Sequence, residues 1–255
     1  MAKSKRVLFV AGEVTPFAET STIAPLARSL PEQLQKAGDF EARVMMPCYG
    51  NIDERKHSLH EVIRLSGTDV PMGEGTETVT VKVASVPDVR LQVYLMDHDT
   101  YFGADKGTIV DGSPAPEDIL RRALFFNRSA LETIRKLRWD PDLIHSLGWM
   151  SGLVPLLLAR EYSNVEYLGA AKSVFTPGDQ DPGSKISAEL AQDLDIPVDG
   201  NVPATFSDTG THHADASILP PETAAEGVPQ FNPDGSQRGE QLVSFYDQML
   251  SEVPA

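Results

Sequence analysis

The side chains that could do chemistry are few and widely spaced. Glu13 follows the apolar run at residues 7–11, so its carboxylate falls just past the end of a strand, where ligand sites of open α/β sheets collect. It reads equally as a ligand-binding acid or as an acid that caps its own loop. His145 closes a second short run, residues 142–145, and offers an imidazole to a ligand or a satisfied polar group to the sheet edge. Trp149, four residues on, is a sugar-stacking ring or a core side chain, and one exposed face could serve both ends. His212-His213 with Asp208 and Asp215 has neither a Cys partner nor HExxH spacing, so no metal is expected. Gly12, Gly73, Gly75 and Gly103 form no GxGxxG or Walker pattern, so NAD and ATP are unsupported and no cofactor is expected. No Gly-x-Ser-x-Gly elbow occurs, and Cys48 beside Pro47 reads as structural.

The elements that must position these groups alternate strand and helix. Residues 7–11 are uniformly apolar, as in a strand buried on both faces of a parallel sheet. The spacing of Ile23, Leu26, Ala27, Leu30 and Leu34 predicts a helix over residues 23–36, with Pro25 in its first turn and Gly38 after its end. A strand at 41–46 completes a βαβ unit. Strands at 61–65, 76–86 and 90–96 then read as a hairpin-rich insertion, and 97–115 as a polar loop. Helices follow at 116–137 and 149–160, with a buried strand at 172–176. Beyond Pro177 the pattern weakens, leaving a helix at 186–194, a short strand at 214–219 and a terminal helix at 239–252. The expected fold is α/β: a Rossmann-like, mostly parallel, doubly wound sheet with a β-hairpin insertion and an acidic C-terminal extension. Residues 1–219 are expected to form the domain, and 220–255 a partly disordered linker plus a helix that packs back on it through Leu242, Phe245 and Met249.

Composition excludes several classes of function. Of the net charge of −15, residues 177–255 carry −12, from 14 acidic and 2 basic side chains. Such a segment repels nucleic acid and anionic membrane, so neither is an expected partner. No stretch approaches the roughly 20 apolar residues that span a bilayer. A single cysteine permits no internal disulfide, which fits a reducing, cytoplasmic setting.

Several separated segments, in order, resemble the N-terminal, acceptor-side domain of ADP-glucose-dependent glycogen and starch synthases. They are Val7-Leu-Phe-Val-Ala-Gly-Glu-Val-Thr-Pro-Phe17, Val44-Met-Met-Pro-Cys-Tyr49, and Val93-Tyr-Leu-Met-Asp97 with Tyr101-Phe102. Trp139-Asp-Pro-Asp-Leu-Ile-His145 with Trp149 and Val154-Pro-Leu156, then Lys172-Ser-Val-Phe-Thr176, continue the series. Arg122-Ala123 stands where the family has an Arg-Phe pair, and Ala214-Asp215 matches a further segment. The resemblance implies a cleft between two doubly wound domains in which glucose passes from ADP-glucose to an α-1,4-glucan. It makes Glu13, Arg122, His145 and Trp149 candidate ligand-binding residues, and an α-glucan or a nucleotide sugar the candidate ligand.

The chain departs from the family where chemistry is done. Where the resemblance implies Lys-x-Gly-Gly-Leu-x-Asp around the donor diphosphate, Glu19, Ser21, Thr22, Ile23 and Pro25 stand instead. Glu19 reverses a charge, and Ser21 and Thr22 add side chains where backbone amides should approach phosphate. Leu147, Gly148 and Met150 replace a His, an Asp and a His, and Gly178 and Asp179 replace a His and an Asn. Glycine cannot supply a polar group to a transition state. The expectation is therefore no catalytic residue and a binding or interaction module, working on a ligand, a protein partner or a second copy across the exposed cleft face. The alternative is a glucosyltransferase active only with a partner chain that supplies the donor-binding domain.

Overall fold

A computed structural model describes residues 4–37, 39–86, 89, 91–103, 115–182, 186, 188–196 and 205–251. A mixed sheet organises them. Strands β1 (Lys5–Ala11), β2 (Phe40–Pro47), β3 (His60–Glu61), β4 (Thr68–Met72), β5 (Gly75–Ser85), β6 (Gln92–Asp97), β7 (Leu143–Leu147), β8 (Lys172–Thr176) and β9 (Ala216–Ser217) form it in the order β3-β5-β6-β2-β1-β7-β8-β9, with β4 paired to β5. The six strands from β6 to β9 in that order are parallel, and β5 runs antiparallel to β6, β4 and β3.

Strand β1 is the hub because it can be nothing else: Val7, Leu8, Phe9, Val10 and Ala11 are all fully buried, with a strand on either side and helices on both faces. The chain grows outward from β1 through β2 to β6, then returns across β1 to β7. Strand order thus reverses between β1 and β7, and the turns leaving their C-terminal ends open a crevice at that switch point.

Helix α1 (Ile23–Lys36) buries Ile23, Leu26, Ala27, Leu30 and Leu34, and Pro25 falls in its first turn, where the missing N–H costs nothing. The helix also continues through Pro31, which is buried; the apolar stripe around it outweighs a lost bond of about 3 kcal/mol. Helix α3 (Pro116–Leu137) begins with proline and ends on Arg138 in the left-handed region, φ 51°. A single helical turn, α2 (Asp99–Phe102), precedes it.

The structure corrects several expectations. Of the strand expected at 61–65 only His60–Glu61 pairs; residues 63–67 turn instead, which lets β4 form a hairpin with β5. Residues 99–102 are helical within the expected loop, and most of that loop, 104–114, lies outside the described residues. The helix expected at 149–160 breaks into a 3-10 turn at Trp149–Ser151 and α4 (Val154–Arg160), because Gly152 packs against the backbone of Phe206 and Pro155 favours a fresh start. Between α5 (Ala188–Asp193) and β9, α6 (Phe206–His213) forms from Ser, Asp, Thr, Gly and His, which signal no helix locally. Thr205 caps it, accepting from the Asp208 amide at 3.1 Å, and its other anchors are tertiary: Phe206 is buried against Trp149, and Gly210 sits against the Phe175 ring.

Residues 220–238 are mostly exposed turns, tied to the domain at a few points. Leu219 pairs with Gln230, and Phe231 is fully buried in the main core. The last helix, α7 (Arg238–Ser251), lies on α1, with Gly239 against Gln33. It buries Leu242 and Tyr246, while Phe245 and Met249 are only partly covered.

Candidate functional site

The crevice predicted by strand order is lined by the turns after β1, β7 and β8: Gly12 and Glu13, then Leu147 to Met150, then Gly178 to Gln180. Ser21 and Ile23, at the N-terminal approach to α1, and Tyr49 complete its lining. A helix N-terminus with free amides beside such a crevice would hold an anion. Here the amides of the loop leading into α1 are already taken. The Glu13 carboxylate accepts from the Thr20 amide at 2.8 Å, from the Ser21 amide at 2.9 Å and from the Ser21 hydroxyl at 2.9 Å, with the Thr20 hydroxyl as a fourth donor. The Thr22 amide points to the Asp179 carboxylate at 3.4 Å, and Gln180 Nε2 donates to the Thr20 carbonyl at 2.8 Å.

Apolar side chains fill what remains. Ile23 lies against Gly178 and Gly148, so close that a Cβ on Gly178 would meet its Cγ1 at 3.0 Å. A Cβ on Gly12 would meet that of Met150 at 2.6 Å. Gly148 adopts φ 76°, which a substituted residue would strain to reach. The cavity left among these residues is about 30 Å³, space for a water or two. Several of the residues that the sequence sets apart from the family motifs meet in this one place: Ser21 ties down Glu13, Asp179 accepts from Thr22, Ile23 packs on Gly148 and Gly178, and Met150 packs on Gly12. Leu147 is buried, whereas Glu19 and Pro25 are exposed and add no group to the cleft lining.

The four candidate ligand residues separate. Glu13 is at the cleft but engaged as above. Trp149 lines the cleft, half-buried, with its ring 5.5 Å from Phe206. Arg122 lies behind the wall: its Nε donates to the Tyr101 carbonyl at 2.7 Å and its guanidinium lies over Phe102, while burial lowers its pKa. Tyr49, which lines the cleft, donates its hydroxyl to the Gly12 carbonyl at 2.9 Å.

His145 belongs to the core, inside the sheet rather than at its edge, with no exposed surface. Its Nδ1 is 2.6 Å from the Tyr246 hydroxyl and its Nε2 is 2.8 Å from the Thr176 hydroxyl. Thr176 gives its own hydrogen to the Ile218 carbonyl at 2.8 Å, so towards His145 it can only accept. Nε2 therefore carries the proton and Nδ1 accepts from Tyr246. Burial holds the pKa down from 6.5 to about 3, so the ring is neutral. Sequence reasoning missed this partner because Tyr246 lies 101 residues away.

No helix among the described residues is long and apolar enough to cross a membrane.

Known proteins with this pattern agree with the fold. Residues 6–215 match the model of the starch synthase catalytic domain. A glycogen synthase of Chlorobium phaeovibrioides is 41% identical over 174 residues, covering 67% of this chain and 35% of that protein. One from Chlorobium luteolum is 40% identical over 177 residues, covering 68% of this chain and 36% of that protein. This chain therefore spans about a third of the length of these relatives. The catalytic domain of starch synthase IV from Arabidopsis thaliana, solved bound to ADP and acarbose, superposes with a TM-score of 0.71 at 18% identity, over 96% of this chain and 50% of that one. With most of its length under one family model, and a sheet in the doubly wound order, the chain belongs to the starch synthase catalytic domain family.

Proposed function

We propose that this glycogen/starch synthase-like chain is a binding module that does not itself transfer glucose, and that an α-glucan is its ligand. One observation carries the reading: the amides of Thr20, Ser21 and Thr22, which would face a donor diphosphate, are directed at Glu13 and Asp179. A diphosphate arriving there would meet two carboxylates in place of free donors, and Coulomb repulsion in a partly dry cleft opposes it. The exposed face of Trp149 remains for a sugar ring, whose hydroxyls carry no charge to repel.

The test is calorimetric titration of the chain with maltoheptaose and with ADP-glucose, alongside transfer of labelled glucose to glycogen. Glucan binding that is lost in Trp149→Ala, with neither ADP-glucose binding nor transfer, is expected. Saturable ADP-glucose binding, or transfer that appears when a separate donor-binding chain is added, would favour the partner-completed transferase instead. Silence towards both ligands would leave a protein partner as the occupant and overturn the glucan reading.

A further inference from the structure

A buried chain of hydrogen bonds joins α7 to the two strands that end in the cleft. It runs from the Tyr246 hydroxyl to His145 Nδ1, from His145 Nε2 to the Thr176 hydroxyl, and from that hydroxyl to the Ile218 carbonyl. Each group donates to the next, so the links polarise in one direction and reinforce one another. His145, Thr176 and Tyr246 are all fully buried, so water cannot replace a lost link. Two of its members sit at the cleft's foundations. His145 is two residues before Leu147, where β7 ends, and Thr176 is the last residue of β8. The Gly148 amide donates to the Thr176 carbonyl at 2.8 Å, which locks the two floor turns together. Tyr246 and Ile218 come from residues beyond the span matched by the family model, which ends at 215.

We infer that His145 is a positioning residue that couples the seating of α7 to the floor of the cleft, through Thr176. With Tyr246 in place, Nδ1 must accept, Nε2 must donate, and the Thr176 hydroxyl must turn to Ile218. Without that hydroxyl the ring loses its only fixed donor and is free to rotate or exchange tautomer. The Thr176 hydroxyl then follows the ring, and its carbonyl carries Gly148 with it. Helix α7 is held elsewhere by Leu242 in the core and by the Lys5–Asp247 ion pair at the surface, so the hydroxyl can be removed with the helix still docked.

The coupling concerns the same cleft as the proposed glucan binding, but it is read without ligand, so either can fail alone. The experiment is amide and long-range imidazole nitrogen NMR on the full chain at pH 7. The wild type is expected to show His145 as the single Nε2–H tautomer. Tyr246→Phe is expected to change that signature and to move the Gly148 and Gly178 amides. Leu242→Val, which loosens the same helix but leaves the hydrogen bonds intact, is expected to leave those two amides in place. Shifts confined to α7 and His145, equal shifts in Leu242→Val, or an Nδ1–H tautomer in the wild type would each overturn the coupling. Should Tyr246→Phe not fold, 3-fluorotyrosine placed site-specifically at position 246 strengthens the same donor without cutting a side chain. Gly148 and Gly178 must then move with the His145 ring resonances, and a still floor refutes the inference.

Discussion

His145 offers a quantitative test of how the core is built. A histidine held neutral by burial binds its proton more weakly folded than unfolded, here near pH 3 against 6.5. Above pH 6.5 neither state is protonated and the residue adds no pH dependence. Between 6.5 and 3 the unfolded chain takes up a proton that the native chain cannot, so stability falls as pH falls. One such proton is worth about 1.4 kcal/mol per pH unit, which integrates to about 2 kcal/mol lost between pH 7 and pH 5. Other titrating groups contribute over the same range, so the measurement must be a difference. We expect His145→Gln to be less stable than the wild type at pH 7, because one of the two ring hydrogen bonds is lost. Its stability should nonetheless fall less steeply from pH 7 to pH 5, by that same margin. Urea unfolding followed by circular dichroism at pH 7, 6 and 5 gives both slopes. Equal slopes would refute the assignment of a neutral, buried ring, and a steeper slope in the variant would reverse its sign.

Two further predictions follow from buried groups. Arg128 is almost wholly buried and donates to Glu161 Oε2 at 2.8 Å and to the carbonyls of Pro71, Leu194 and Asp195, so it ties four segments together. Arg128→Met should cost about 3–5 kcal/mol in urea unfolding, because it strands a carboxylate and three carbonyls, and a loss under about 1 kcal/mol would contradict that account. Burial, with Asp97 nearby, pushes the Cys48 thiol up to about 12, so Ellman's reagent at pH 8 should leave it untouched in the native chain and label it fully in guanidinium; rapid native labelling would show that the site opens.

The sequence by itself determined the parallel core. The run Val7–Ala11, the stripe from Ile23 to Leu34 and the long helix from Pro116 are local patterns, since buried strands and amphipathic helices announce themselves through periods of one element. The motifs that carry the family, and the residues at 19–25, 147–150 and 178–179 that the resemblance sets apart, were equally legible, because each is a short stretch of chain. What those residues do was not. That the Thr20 and Ser21 amides turn inward to Glu13, or that Ile23 reaches Gly178 across 155 residues, depends on which turns the sheet brings together. Helix α6 likewise has little local signal beyond its Thr205 cap, and it stands because Phe206 and Gly210 find Trp149 and Phe175. The sequence put His145 at the end of an apolar run and the fold puts it in the middle of β7, but only the fold supplied Tyr246, Thr176 and the dry surroundings that turn a candidate ligand residue into a buried tie. Hydrogen-bond partners and dielectric are properties of a neighbourhood in space, and for these groups that neighbourhood is assembled from residues far apart in the chain.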